Sequence, residues 1–79
     1  MNRADYDRLR WRCRRGLLEL DLVLERFLER HAAGMTDEEL AALARLLDFP
    51  DTELWEVVNG RSERYDPRLG GIVLKLRST

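Results

Sequence analysis

Apolar residues recur at helical spacing along almost the whole chain, and Gly, Pro, Thr, Asn and Asp fall between the apolar stretches. Tyr6, Leu9 and Cys13 stand at i, i+3 and i+7, which predicts a first helix over about 3–13 capped by Asn2. Gly16 marks a corner. A second helix over about 17–32 carries Leu17, Leu20, Leu24, Phe27 and Leu28 as a wide stripe, with Gly34 where a C-terminal cap belongs. Thr36 followed by Glu39 forms a capping box that opens a third helix with Leu40, Leu43, Leu46 and Leu47 inward. Pro50 cannot continue that helix, and Asp51 is placed to cap a fourth over about 52–59 that buries Leu54, Val57 and Val58. Asp66-Pro67 reads as the cap and first-turn proline of a fifth helix ending near Arg77. Gly70-Gly71 inside it costs about 1 kcal/mol per glycine relative to Ala, so a short extended segment at Ile72-Val73-Leu74 stays open as an alternative. The spacing therefore predicts an all-α fold: a single domain over residues 1–79, built as a compact bundle of five short helices.

Seventy-nine residues bury only about 60–65% of the surface of the unfolded chain, which argues against a deep internal cavity. One cysteine cannot form an internal disulfide, and Cys13 with the single His31 cannot make a four-ligand zinc site. No apolar run approaches the roughly 20 residues of a membrane span, and Met1-Asn2-Arg3-Ala4-Asp5 lacks the charge order of a signal peptide. The expectation is a soluble cytoplasmic protein with no membrane contact. The net charge of −1 hides an asymmetry: residues 1–16 hold six Arg against two Asp, a local +4, and the remainder is −5. A basic strip on an acidic body is compatible with nucleic acid, yet a nucleic-acid module is usually basic overall.

Trp11 lies about 200° around a helix from the Tyr6-Leu9-Cys13 stripe, so it is either covered by a neighbouring helix or exposed as a partner-binding anchor. Arg8, Arg12 and Arg15, at i, i+4 and i+7, form a basic ridge beside it, either a solvated face or a complement to an acidic partner or cofactor phosphate. Arg15 and Glu19 are four apart and would make an ordinary exposed ion pair if one helix held both. Gly16 is either a simple helix break or, lacking a Cβ, a position that permits a left-handed corner or close approach by another molecule's backbone. Arg14 has no clear direction at the corner, and Asp21 is as easily a surface solubiliser as a contact. His31 fits an exposed imidazole at a helix C-terminus, and Cys13 fits a small packed hydrophobe. No catalytic set, phosphate-cradling loop or metal-ligand cluster is present in the sequence.

Trp11-Arg12-Cys13-Arg14-Arg15-Gly16-Leu17-Leu18-Glu19-Leu20-Asp21 contains R-G-x-x-E with W-x-C-R before it and L-D after. This run resembles the signature of the flavinylation factors, small helical proteins that help the flavoprotein subunit of succinate dehydrogenase or fumarate reductase acquire covalent FAD. Leu46-Leu47-Asp48-Phe49-Pro50-Asp51-Thr52-Glu53-Leu54 looks like the second recognisable stretch of that family, so the resemblance covers roughly residues 6–60. Two departures stand out: Leu17 where many relatives carry Met, and Val57 where Trp is common, with Trp55 nearby. The first conserves volume, and the second suggests a repacked fourth helix. The resemblance implies a non-enzymatic assembly factor or chaperone. Its site would include Arg15, Gly16 and Glu19, with Trp11, Arg8, Arg14, Leu17 and Asp21 around them, docked on the flavoprotein. It further implies that FAD belongs to the partner, whose own histidine attacks the isoalloxazine 8α-methyl carbon, and that this chain holds no cofactor stably. Two other readings, a small nucleic-acid-binding protein and an antitoxin-like regulator, use the same basic segment.

Overall fold

The computed structural model describes residues 3–79, so the predicted Asn2 cap lies outside the described residues. Helix α1 runs Arg3–Arg12, α2 Leu18–His31, α3 Asp37–Leu47, α4 Asp51–Val58 and α5 Gly70–Arg77, with 3-10 turns at Ala32–Gly34 and Pro67–Leu69. No strand occurs among the described residues. The radius of gyration is 11.5 Å, against about 11.6 Å for one folded domain of this length. This is the five-helix, all-α architecture that the apolar spacing predicts.

The core is assembled from the inward stripes of α2 to α5. Leu20, Leu24 and Phe27 meet Leu43, Leu46, Leu54, Val73 and Leu76, and every buried side chain among the described residues is apolar. Helix α3 is specified from both ends of its first turn. Thr36 Oγ1 accepts from the Glu39 N–H at 3.1 Å, and Glu39 Oε1 accepts from the Thr36 N–H at 3.2 Å. The other Glu39 oxygen pairs with Lys75 of α5, so one residue both starts a helix and fastens it to the last one. The hydrogen bond from Lys75, then that from Thr36, holds the Glu39 carboxyl below the usual carboxylate range. Arg77 performs a similar task for the 59–66 connection, donating to the Val57 carbonyl at 2.9 Å and the Ser62 carbonyl at 3.0 Å.

Several local expectations need correction. Leu17 is not part of the α2 stripe: it precedes the helix in extended backbone (φ −101°, ψ 107°) and is exposed. Gly34 is not a left-handed cap, because α2 ends at His31 and tightens into the Ala32–Gly34 turn without a positive φ. His31 is half-buried, not exposed, with its ring centroid 5.0 Å from that of Phe27. Asp51 does not cap α4. Pro50 occupies the cap position, Asp51 is the first helical residue, and its carboxylate is engaged by an arginine from another part of the chain. The fifth element opens as predicted, with Asp66 accepting from the Arg68 N–H, but as a 3-10 turn that becomes α-helical only at Gly70. Ile72, Val73 and Leu74 are helical, which removes the extended alternative.

Helix α1 is the thinly attached element. Leu9 is its one buried residue; Cys13, just past its end, is buried, and Tyr6 is half-buried against the core. Apolar burial through so few side chains gives only several kcal/mol, at about 25 cal/mol per Å², so polar ties matter more here than elsewhere. Phe27→Ala should destabilise the bundle by about 3–5 kcal/mol in urea unfolding, whereas the exposed Leu74→Ala should stay within about 0.5 kcal/mol of the parent.

Candidate partner-docking site at the α1–α2 corner

The chain between α1 and α2 turns sharply at Gly16, whose φ of 86° lies in the left-handed region. A Cβ added there would meet nothing within 4 Å, so the backbone conformation, not crowding, is what asks for glycine. Leu17 offers α2 no side-chain cap. Asp21, one turn into the helix, supplies the missing acceptor: Oδ1 takes the Arg15 N–H at 2.7 Å and Oδ2 the Gly16 N–H at 3.1 Å. A carboxylate in the first helical turn is also favoured by the helix dipole. Asp21 is therefore more than a surface solubiliser; it staples the corner to the helix.

The Arg15 side chain leaves the corner in the other direction. Its Nη1 donates to the Leu47 carbonyl and Nη2 to the Phe49 carbonyl, each at 2.6 Å, while Nε donates to Asp51 Oδ1 at 2.6 Å. Leu47 ends α3, so the guanidinium satisfies a carbonyl that a helix C-terminus leaves without a partner. Arg12 works alongside, with Nη2 at 2.7 Å from Asp48 Oδ1 and 3.4 Å from the Ala44 carbonyl. Arg15 does not share a helix with Glu19, and the simple i, i+4 pair does not form. Nor do Arg8, Arg12 and Arg15 make one ridge: Arg12 and Arg15 face carboxylates of the α3–α4 turn, and Arg8 lies 3.9 Å from Asp5 within α1. Two of the six arginines of the basic segment are thus engaged by this chain's own acidic body, which weakens the nucleic-acid reading.

What the corner turns outward is mostly apolar. Trp11 is 73% exposed, so of the two readings open to it no neighbouring helix covers it, and Leu18 is 74% exposed. Leu17 and Leu22 are also exposed. Leu18 forms the ridge between two depressions. One is shared with Arg10, Arg14 and Glu25 between α1 and α2, the other with Leu17, Glu19 and the half-buried Trp55 of α4. Glu19 is exposed and enters no ion pair among the described residues, and Arg14 is exposed beside the first depression. Cys13 lies at the floor of that depression but is buried; burial, opposed by Arg15 and Arg12, pushes its thiol up to about 11. It packs as the hydrophobe that its spacing predicts.

Sequence reasoning missed Leu18 and Leu22, an i, i+4 pair off the core stripe that could have been noticed, and Trp55, which completes the second depression from a distant helix. It also missed Asp48 and Asp51 as partners of Arg12 and Arg15, for which local spacing carries no signal.

A family model described as flavinator of succinate dehydrogenase matches residues 7–79. Curated relatives named FAD assembly factor SdhE include those of Methylococcus capsulatus, 39% identical over 90% of this chain and 86% of the relative, and Shewanella oneidensis, 37% identical over 89% and 85%. The relative from Ralstonia nicotianae is 45% identical over 71% of this chain, a stretch that spans 59% of its own length. No solved structure matches the chain.

Gly16→Ala should lower stability by about 1–2 kcal/mol, the cost of a left-handed non-glycine residue. Gly34→Ala, where φ is not positive and a Cβ is equally free of contacts, should be neutral or stabilising by up to about 1 kcal/mol. Chemical denaturation of the two variants measures the difference.

Proposed function

The chain belongs to the family of flavinators of succinate dehydrogenase, and we propose on that footing that it is a FAD assembly factor for the flavoprotein subunit of that enzyme. The observation that carries the reading is the corner itself. Gly16 stands in a left-handed turn with open space around it, beside the exposed Leu17 and Leu18 and a Glu19 without an internal cation. An exposed apolar surface rimmed by charge is the usual form of a protein-binding patch. Trp11 is the aromatic anchor of this surface, and Arg8 and Arg14 supply charge at its rim.

The factor acts by binding, not by chemistry of its own. FAD and the residue that becomes bonded to it both belong to the flavoprotein, and a docked helper raises the rate by holding them in a reactive alignment. Preorganisation of this kind removes several kcal/mol from a barrier without a catalytic side chain on the helper. The action takes place in the cytoplasm and extends to the related subunit of fumarate reductase.

Glu19→Ala and Gly16→Arg, each as the sole copy in the cell, should reduce covalent flavin on the flavoprotein subunit, read as in-gel flavin fluorescence. Normal fluorescence at normal levels of a helical variant would contradict the docking surface. Calorimetric titration of the purified chain with FAD should give no saturable heat in the micromolar range; tight binding would place the cofactor on this chain.

A further inference from the structure

Within the Arg15-Gly16-Leu17-Leu18-Glu19 run, the outward residues and the inward one do different work. The Arg15 side chain is only 14% exposed. Three of its five N–H groups are held by Asp51, Leu47 and Phe49, and Nη1 also lies 3.5 Å from the Arg12 carbonyl, so most of its donors are already spent within the chain. Releasing them would leave the Leu47 carbonyl at the end of α3 and the Phe49 carbonyl in the α3–α4 turn without donors, a cost comparable to losing charged hydrogen bonds. The Arg15 main chain is held from the opposite side, together with that of Gly16, by the two oxygens of Asp21. The corner is therefore gripped twice, by side chain to the α3–α4 turn and by backbone to α2.

We propose that Arg15 is a positioning residue and not a docking contact: with Asp51 and Asp21 it fixes the corner in the one shape that presents Gly16, Leu17 and Glu19 to the flavoprotein. This rests on the reading of the corner as the docking surface. Leu17 brings no cap, and a left-handed glycine is conformationally permissive, so the corner has little local specification of its own. The clamp supplies it. Asp51, on another helix, consequently bears on partner affinity through Arg15 alone.

The test is a double-mutant cycle on affinity for the flavin-free flavoprotein subunit of succinate dehydrogenase, measured by biolayer interferometry on variants whose circular dichroism retains helicity. Asp51→Asn, nearly isosteric, should weaken binding about threefold and Arg15→Gln about tenfold, with the double variant no weaker than Arg15→Gln alone. Arg15→Lys should resemble Arg15→Gln, because an ammonium cannot span Asp51 and two carbonyls at once. If Arg15→Gln does not fold, Arg15→Lys takes its place in the cycle. The Gly16 amide resonance should move in Asp51→Asn, a readout that general destabilisation would leave in place. Unchanged affinity in Asp51→Asn, additive losses, or parental affinity in Arg15→Lys would overturn the positioning role. Glu19→Ala is the control for the underlying reading: if it alone leaves affinity intact, the docking surface is wrong and the proposal falls with it, whereas a loss there with additive Arg15 and Asp51 effects sinks only the positioning role.

Discussion

The Arg15 guanidinium, set against the Leu47 and Phe49 carbonyls and the Asp51 carboxylate, joins the two parts of this molecule that the hydrophobic core connects least well. Helices α2 to α5 share a continuous apolar interior, but α1 contributes one buried leucine from within the helix. Charged donors on carbonyls contribute about 1.5–3 kcal/mol each when removal would leave the acceptor unpaired. That is of the same order as the whole apolar attachment of α1. Arg12 on Asp48 and the Ala44 carbonyl reinforces the same seam, so the end of α3 is capped from outside its own sequence.

This seam reconciles the basic N-terminal segment with the acidic remainder of the chain. Part of the charge asymmetry is internal complementarity that docks α1 and shapes the corner, and part remains outside on Arg3, Arg8, Arg10 and Arg14. On the proposed reading, a corner held by Asp21 and by the Arg15 side chain would present Gly16, Leu17 and Glu19 without first having to be ordered, and ordering costs subtract directly from affinity.

The helices were legible in the sequence because their causes are local. Apolar residues at i, i+3 and i+4 set the faces of α2 and α3, the Thr36–Glu39 box set the start of α3, and Gly16 announced a turn. Trp11 was placed outside the core by the same angular reasoning. Failures came where a distant group decides the outcome. Asp51 read as a helix cap because nothing nearby in sequence reveals Arg15, 36 residues away, as its partner. Arg15 read as part of an exposed ridge because periodicity was continued through a corner that ends the helix. The His31 error is of another kind: the ring of Phe27, four residues earlier on the same helix, is a local neighbour that the i, i+4 spacing could have indicated. The motif was legible as a string, but the division of labour within it was not, since Arg15 and Glu19 differ in surroundings and not in spacing.

Hydrogen–deuterium exchange of the chain, alone and in complex with the flavoprotein subunit, tests the central claim most directly because it maps the contacted surface without altering any residue. The account predicts added protection over residues 14–22 and around Trp11, with the 59–66 connection and α5 exchanging as in the free protein. Protection confined to α4, the 59–66 connection and α5, with the corner unchanged, would contradict it.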